Sequence, residues 1–207
     1  MFVRATTIDA EPARIDDGIA YVREAVVPAL QDLRGSLGLS MFVDRTTGMA
    51  TVSTAWETEQ DRAASDAVLA PLREGGVRAM GATTAAVELL ELAVLDRRRP
   101  AEVGFWSRLT RVSVDPSYVE NAVDAYSAST MHDLQLLDGY CSAVLLVDRV
   151  NGMGAVSVVF DSLAALEASR GRAQSLRTSG LAKAGAEMID VRESQIAIAG
   201  IRMPQSG

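Results

Sequence analysis

Two arginines, Arg4 and Arg108, are the side chains of this 207-residue sequence whose type and placement best suit chemistry. Each lies in the middle of a β-branched, alternating run, and Thr6 or Thr110 follows two residues later on the same face of a strand. A guanidinium group can hold a carboxylate or an enolate through two parallel hydrogen bonds. Either arginine could therefore orient an anionic ligand, or could form a structural ion pair, because an unpaired buried charge is costly.

The only histidine and the only cysteine offer less chemistry. His132 lies outside the apolar stripe of its helix, which predicts a surface side chain and not a ligand or a base. Cys141 stands in the apolar run YCSAVLLV and is predicted to be a small buried residue. Without a second histidine or a cysteine cluster, the sequence cannot assemble a zinc or iron site at standard spacing. We therefore expect no metal.

The composition restricts the binding partners and the cellular compartment that we expect. A net charge of −7 and a pI near 4.8 argue against a nucleic-acid or anionic-membrane partner. No apolar stretch reaches the ~20 residues of a membrane span, and the N-terminus lacks a signal-peptide pattern. The single cysteine permits no intramolecular disulfide, which fits a reducing compartment. These features predict a cytoplasmic globular protein that binds neither nucleic acid nor membrane.

One stretch of the chain occurs almost twice. FVDRTTGMATVS begins at residue 42 and LVDRVNGMGAVS begins at residue 146, a shift of 104 positions that aligns the two halves without a gap. Internal similarity of this kind indicates a duplication. Asp44-Arg45 and its echo Asp148-Arg149 could be a catalytic pair, but an aspartate followed by a glycine is typical of a tight turn between strands. We interpret both as turns.

Hydrophobic periodicity gives each half the order β-α-β-β-α-β. That order is typical of a ferredoxin-like unit, an antiparallel sheet with both helices on one face. Two such sheets in one chain bury their bare faces most simply against each other. The predicted fold is α+β, with two ferredoxin-like repeats that form a single-chain dimeric α/β barrel. The first repeat covers residues 1–96, a charged linker covers 97–104, and the second repeat covers 105–207.

The same strand order predicts partners for the two arginines. The first strand pairs with the fourth in a ferredoxin-like sheet. Glu88 or Glu91 could therefore pair with Arg4, and Glu193 could pair with Arg108. A structural ion pair is the simpler interpretation of both arginines, and orientation of a ligand is the functional alternative.

The segment TAWETEQDRAAS, residues 54–65, resembles the third strand and following helix of the antibiotic biosynthesis monooxygenase family. This resemblance implies the dimeric α/β barrel, in which two ferredoxin-like units associate through their sheets. Family members that degrade haem or oxidise aromatic polyketides usually carry a histidine on that helix. This sequence has Ser65 and Asp66 there, and Ser169 and Arg170 in the second repeat, so the haem ligand is missing. We predict no cofactor, and haem has no support from the sequence.

Large aromatic side chains are few, and four of them could line a pocket. Trp56 and Trp106, with Phe2 and Phe160, either pack in the core or form the wall of a site for a planar aromatic ligand. Phe160 stands where the first repeat has Trp56, so two sites would not be equal. The candidate ligand-binding residues are Trp56, Arg4, Phe160, Trp106 and Arg108.

Two functions of different classes follow. The resemblance implies a cofactor-independent monooxygenase for a small aromatic or polyketide-type substrate, with Arg4 beside Trp56 stabilising an anionic intermediate. The missing histidine favours a non-catalytic ligand-binding or scaffold barrel. An amino-acid-binding regulatory domain pair with the same strand order is a third alternative. The expected partner is a small-molecule ligand, and the expected assembly is a monomeric pseudo-dimer or a homo-oligomer.

Overall fold

The computed structural model describes residues 1–202. Each half has the predicted order of strands and helices. The strands are β1 (Phe2–Asp9), β2 (Ser36–Asp44), β3 (Met49–Trp56), β4 (Ala85–Arg97), β5 (Trp106–Ser113), β6 (Tyr140–Asp148), β7 (Met153–Phe160) and β8 (Glu187–Ala199). The helices are α1 (Ile15–Tyr21), α2 (Val27–Gln31), α3 (Glu59–Ala64), α4 (Asp66–Ala79), α5 (Val119–Ala125), α6 (Met131–Leu134), α7 (Leu163–Ala168) and α8 (Arg170–Ala184).

Hydrogen bonding connects the strands of the described chain in the order β1-β3-β2-β8-β5-β7-β6-β4, and this order closes into a barrel. The pairs with known register are antiparallel, including the β2–β3 and β6–β7 hairpins of the two repeats. The predicted α+β fold with two ferredoxin-like repeats and a single-chain α/β barrel is therefore confirmed.

Residue contacts divide the chain into two compact units. Unit 1 comprises Met1–Leu90 and the chain from Gln195 onward, and unit 2 comprises Glu91–Ser194. The long strands β4 and β8 each contribute residues to both units. The sequence boundaries at 96 and 105 mark the duplication and stay a prediction. β4 runs through Arg97, the first residue of the predicted linker, and residues 203–207 of the second repeat lie outside the described residues.

The repeated Asp-Arg motif forms the turn of each central hairpin, as predicted. The Asp44 carboxylate accepts a hydrogen bond from the backbone N–H of Thr46 at 2.8 Å, and Asp148 accepts one from Val150 at 3.0 Å. Gly48 closes its turn with φ +82°, a backbone conformation that favours glycine. A Cβ at Gly48 would also overlap the carbonyl oxygen of Ala10. The motif therefore sets the register of each hairpin.

The first helical region of each repeat contains one π-helical turn. Val22–Val26 joins α1 to α2, and Tyr126–Thr130 joins α5 to α6. Single π turns are rare and occur frequently at functional sites. The second helical region starts with a side-chain cap, because the hydroxyl of Thr58 or Ser162 accepts a backbone N–H three residues later.

Each unit has its own hydrophobic core. Trp56, Met41 and Met80 are fully buried in the core of unit 1, and Phe160 and Leu166 are fully buried in the core of unit 2. No helix within residues 1–202 is both long and apolar enough to span a bilayer.

Candidate functional site

Unit 2 contains a cavity of about 110 Å³ that is lined by residues of its sheet and of its helices. On the same measure a single water needs roughly 10–15 Å³, so the space suits a small organic molecule. Strands β5, β6 and β7 form one wall. The π turn Tyr126–Thr130 and helices α5 and α8 form the other. The cavity thus lies between the sheet and the helices of a single ferredoxin-like unit.

The wall of this cavity is mostly aliphatic and aromatic. The apolar lining includes Val112, Val119, Val123, Leu134, Val158 and Phe160. The polar lining consists of Arg108, Thr110, Tyr126, Thr130 and Arg177. No histidine, cysteine or carboxylate side chain of the described residues lines this cavity. An apolar pocket with a few polar groups is the usual composition of a small-molecule site.

Arg108 is held firmly in place at the sheet side of the cavity. Its guanidinium donates to Ser169 Oγ at 2.8 Å, to the carbonyl oxygen of Leu166 at 2.7 Å and to Glu193 Oε1 at 2.9 Å. It also lies 5.6 Å from the centre of the Phe160 ring. The predicted ion pair with Glu193 is confirmed. Because its donors are largely engaged, Arg108 supplies a fixed positive charge more than a free hydrogen-bonding group.

Arg4 has a different partner from the predicted one. Its guanidinium donates to Ser65 Oγ at 3.0 Å and forms an ion pair with Asp66 at 3.4 Å. The predicted pairing with Glu88 or Glu91 is wrong. The first repeat has leucine at position 89, where the second has a glutamate. Strand alternation therefore places Glu88 on the opposite face, and Glu91 pairs with an arginine of unit 2.

Arg177 lacks the carboxylate partner that its counterpart in unit 1, Arg73, has. In unit 1, Arg73 donates to Asp66 at 3.2 and 3.3 Å. The position of Asp66 is occupied in unit 2 by Arg170, which pairs with Glu193 at 2.7 Å. No carboxylate within residues 1–202 forms an ion pair with Arg177.

The electrostatic environment of Arg177 reflects this missing partner. Burial and the positive charge of Arg108 lower the pKa of Arg177, and Glu193 offsets only part of that effect. The group remains a cation at every physiological pH. An anionic oxygen in the cavity would therefore offset both the desolvation of the Arg177 guanidinium and its repulsion by Arg108.

Tyr126 also lines this cavity, and its hydroxyl oxygen is buried. The residue is 8% exposed, and its hydroxyl has no hydrogen-bond partner in the described chain. Burial raises the pKa of this phenol, and the nearby Asp96 carboxylate raises it further. Tyr126 therefore stays protonated at physiological pH.

The corresponding space in unit 1 is smaller. It measures about 50 Å³, and the fully buried side chain of Met80 is part of its wall. A Cβ at Gly18 would overlap the Met80 side chain, so the two residues are packed directly together. In unit 2 the position of Met80 is Ala184, and the position of Leu69 is Ala173. These two large-to-small differences contribute to the larger cavity of unit 2.

The five predicted site residues do not share one site. Phe160 and Arg108 line the unit 2 cavity, and Arg4 lines the smaller one in unit 1. Trp56 lines neither of these cavities, because it is fully buried in the core and donates its Nε1–H to Thr54 Oγ1 at 3.3 Å. Trp106 pairs with Phe160 across β5 and β7 but does not line the unit 2 cavity.

The histidine and the cysteine lie where the sequence predicts. His132 is exposed and Cys141 is fully buried. Within residues 1–202, no group of three histidine, cysteine or acidic side chains could hold a metal ion. Among the described residues, the cavity lining offers no histidine or cysteine to bind haem iron axially, although it includes Met153 and Tyr126.

Sequence reasoning missed Arg177 and did not recognise Tyr126 as a polar site residue. The signal was present in the duplication itself. Arg73 and Arg177 are identical across the repeats, whereas the residue that neutralises Arg73 changes from Asp66 to Arg170. Comparing the copies for differences, and not only for identities, would have indicated the site.

The barrel fold is similar to that of several solved structures, some of them related to antibiotic biosynthesis monooxygenases. An anthrone oxidase-like protein is similar over 99% of this chain and 95% of its own, with a TM-score of 0.70 and 14% identity. A ferredoxin-fold protein of Listeria monocytogenes related to antibiotic biosynthesis monooxygenases covers 94% of both chains, with a TM-score of 0.52 and 8% identity. The haem-degrading enzyme LmHde of the same organism covers 94% of this chain and 99% of its own, with a TM-score of 0.54 and 8% identity. Identities this low show the fold alone.

The chain belongs to the same family as the uncharacterized proteins Rv2558 and Rv2557 of Mycobacterium tuberculosis. Rv2558 is 40% identical over 206 residues, which cover 99% of this chain and 87% of the relative. Rv2557 is 38% identical over 205 residues, which cover 99% and 91%. No protein-family model matches the chain.

Proposed function

We propose that unit 2 binds one small, mostly apolar molecule that carries an anionic oxygen. The observation that carries this proposal is Arg177, a cavity-lining cation without a carboxylate partner at the place where Arg73 of unit 1 has Asp66. The aliphatic wall would cover the body of the ligand, and the guanidinium would hold its carboxylate, phenolate or enolate oxygen.

The two cations near the cavity set the preferred charge of the ligand. Arg108 is already paired with Glu193, so its charge is largely balanced inside the protein. Arg177 has no ion-pair partner among the described carboxylates, and Glu193 offsets its environment only in part. A monoanion therefore suits the site, whereas a dianion would leave one negative charge against an apolar wall.

Binding is tested by isothermal titration with 1-naphthoate as the probe. We expect one saturable site per chain and at least about tenfold weaker binding in Arg177→Gln, because one charge-assisted contact is worth roughly 1.5–3 kcal/mol. Arg73→Gln is the matched control and should bind the probe like wild type. Absence of binding, or equal losses in both variants, would overturn the proposal.

A second function is cofactor-independent oxygenation of the bound molecule, as the resemblance to monooxygenases implies. The observation that favours it is the cavity-lining cation, since a positive charge stabilises the oxygen of an enolate or phenolate. Dioxygen would convert an activated CH₂ to C=O and release one water, so electrons balance without a reductant. The lining holds no carboxylate or imidazole base, so the substrate would need to be acidic itself.

Oxygenation is tested with 1,8-dihydroxyanthrone, a planar aromatic with an activated CH₂ group. We expect dioxygen uptake above the buffer rate at one equivalent per substrate, and a large loss of rate in Arg177→Gln. If the compound binds without extra dioxygen uptake, the protein is a binding protein. A titration with haem serves as a control, and we expect no shifted Soret band, because the lining offers no histidine.

A further inference from the structure

The unit 2 cavity is long and narrow. On the sheet side, every second residue from Arg108 to Val114 lines it, a distance of about 20 Å along an extended chain. On the helix side, the lining extends along α8 from Ala173 to Ala184, which is about 17 Å at the rise of an α-helix. A volume of about 110 Å³ spread over this length leaves a narrow space. Such a space fits a hydrocarbon chain better than a compact ring system.

The cations and the apolar side chains of the lining lie towards opposite ends of this cavity. Arg108 marks the charged end, where it donates to Ser169, the residue before α8. Because helical side chains point back towards the N-terminus of their helix, the Arg177 guanidinium extends towards the same end. Arg108 and Glu193 are the charged residues that interact with it electrostatically. At the opposite end the lining side chains are apolar, among them Val112, Val114, Val119, Met153, Ala184 and Ala186.

The cavity of unit 1 stops short of the equivalent apolar end. Its sheet-side lining extends from Arg4 to Ile8, and within the described chain Ala10, two residues further on, does not line it. The fully buried side chain of Met80 lines this cavity together with Ile8. In unit 2 the equivalent residues are Val112 and Ala184, which are both smaller. The cavity of unit 2 therefore continues past the position at which the cavity of unit 1 ends.

A glycine on β7 adds to the space at the same position. Gly154 lies opposite Val112 in the β5–β7 pair, where unit 1 pairs Ile8 with Ala50. A Cβ at Gly154 would lie 2.9 Å from Val112 Cγ2, so the valine occupies the space that an alanine side chain would need. Smaller residues on a strand, on its neighbour and on the helix thus coincide where the unit 2 cavity extends beyond that of unit 1.

We infer that the ligand of unit 2 is a straight-chain carboxylate, with its carboxylate at Arg177 and its tail along β5 towards Met153 and Ala184. This inference rests on the proposed function, because it names the chemical class of the same monoanion. Each methylene that leaves water for an apolar space stabilises the complex. Affinity should therefore rise with chain length until the tail fills the cavity.

Isothermal titration with hexanoate, octanoate and decanoate tests this inference. In wild type we expect one site per chain and an affinity that rises about fourfold per added methylene. Arg177→Gln should weaken the binding of all three acids by a similar factor, because they share the carboxylate. Arg73→Gln is the matched control in unit 1 and should leave all three affinities unchanged.

A second variant changes only the space for the tail. Ala184→Met introduces the side chain of Met80, and Ala122→Gly in the same chain provides the room that Gly18 gives Met80. In this double variant decanoate should lose at least about tenfold more affinity than hexanoate, because the methylenes of the longer tail no longer fit.

The outcomes separate this inference from the proposed function. Equal affinity of wild type for the three acids would overturn the inference, and so would an undiminished rise with chain length in the double variant. In both cases binding of 1-naphthoate that depends on Arg177 would leave the proposed function in place. If neither 1-naphthoate nor any of the three acids binds wild type, the proposed function itself fails.

Discussion

The two units of this protein share one architecture and differ in how they fill it. In unit 1, Met80 packs against Gly18 and leaves about 50 Å³ between sheet and helices. In unit 2, Ala184 stands in the place of Met80, and about 110 Å³ remains open. After a duplication, one copy can keep a filled interior while the other copy exchanges packing for a cavity.

The two units also differ in how the arginines beside each cavity are neutralised. Asp66 neutralises both Arg4 and Arg73 in unit 1. In unit 2 the equivalent residue is Arg170, and the remaining carboxylate, Glu193, pairs with Arg108 and Arg170 but not with Arg177. The larger cavity is therefore also the one whose lining arginine, Arg177, has no ion-pair partner among the described residues. Volume and charge therefore differ together between the two units.

The largest expected effect comes from removing the Met80 side chain from the core of unit 1. Met80→Ala removes a fully buried side chain, and large-to-small changes of this kind cost about 2–5 kcal/mol in free energy of unfolding. Urea denaturation monitored by circular dichroism measures the change. Leu176→Ala in unit 2 is a useful comparison, because that side chain borders a space that is already open. A loss below about 1 kcal/mol for Met80→Ala would show that Met80 does not fill the unit 1 interior.

Filling the unit 2 cavity should weaken ligand binding strongly. Ala184→Met introduces the residue of unit 1, and Ala122→Gly in the same chain provides the space that Gly18 gives Met80. We expect the double variant to bind 1-naphthoate about a hundredfold more weakly, which corresponds to ~2.7 kcal/mol. The melting temperature measured in parallel should not fall. Undiminished affinity would place the ligand outside this cavity.

Restoring the carboxylate of unit 1 should have a smaller effect. Arg170→Asp places an acid where Asp66 binds Arg73, so Arg177 gains an internal partner that competes with the ligand. We expect naphthoate affinity to fall about tenfold in isothermal titration. Asp66→Arg is the reciprocal variant and should leave naphthoate affinity in unit 2 unchanged. An increase in affinity on Arg170→Asp would contradict the assignment of Arg177 as the anion-binding residue.

The smallest effect is a dependence of stability on pH through Glu193, which has no counterpart in unit 1. Burial acts to raise its pKa, but hydrogen bonds from Arg170 and Arg108 outweigh burial and lower it. A lowered folded-state pKa gives stability that is present above the unfolded value of about 4.3 and is lost as pH falls through the folded value.

Comparison of wild type with Glu193→Gln tests this pH dependence. The difference in unfolding free energy should be constant between pH 5 and 7 and should shrink under more acidic conditions. Urea denaturation at several pH values provides the measurement. A difference that grows on acidification would mean that the pKa of Glu193 is raised.

The fold could be predicted from the sequence because the duplication repeats local signals. The Asp44 turn, the Thr58 cap and the alternating strands each depend on a few neighbouring residues, and the structure confirms them. The pairing of Arg108 with Glu193 could also be predicted, because strand order and side-chain alternation are enough to bring the two side chains together.

The site could not be predicted in the same way. Cavity volume depends on the sum of side chains from several elements, so replacing Met80 by Ala184 has meaning only when Gly18 and Ala122 are considered with it. Trp56 was expected to mark the pocket because it is large and aromatic. It is instead completely buried in the core of unit 1.

Methyl resonances of two methionines test the central claim most directly, because each reports on one unit. Met153 lines the unit 2 cavity and Met80 lines the smaller one of unit 1. The protein is labelled with ¹³C at the methionine methyl groups, Met153→Leu and Met80→Leu provide the assignments, and 1-naphthoate is titrated. We predict that the Met153 signal moves and saturates while the Met80 signal stays in place. Movement of Met80 with Met153 unchanged would contradict the account.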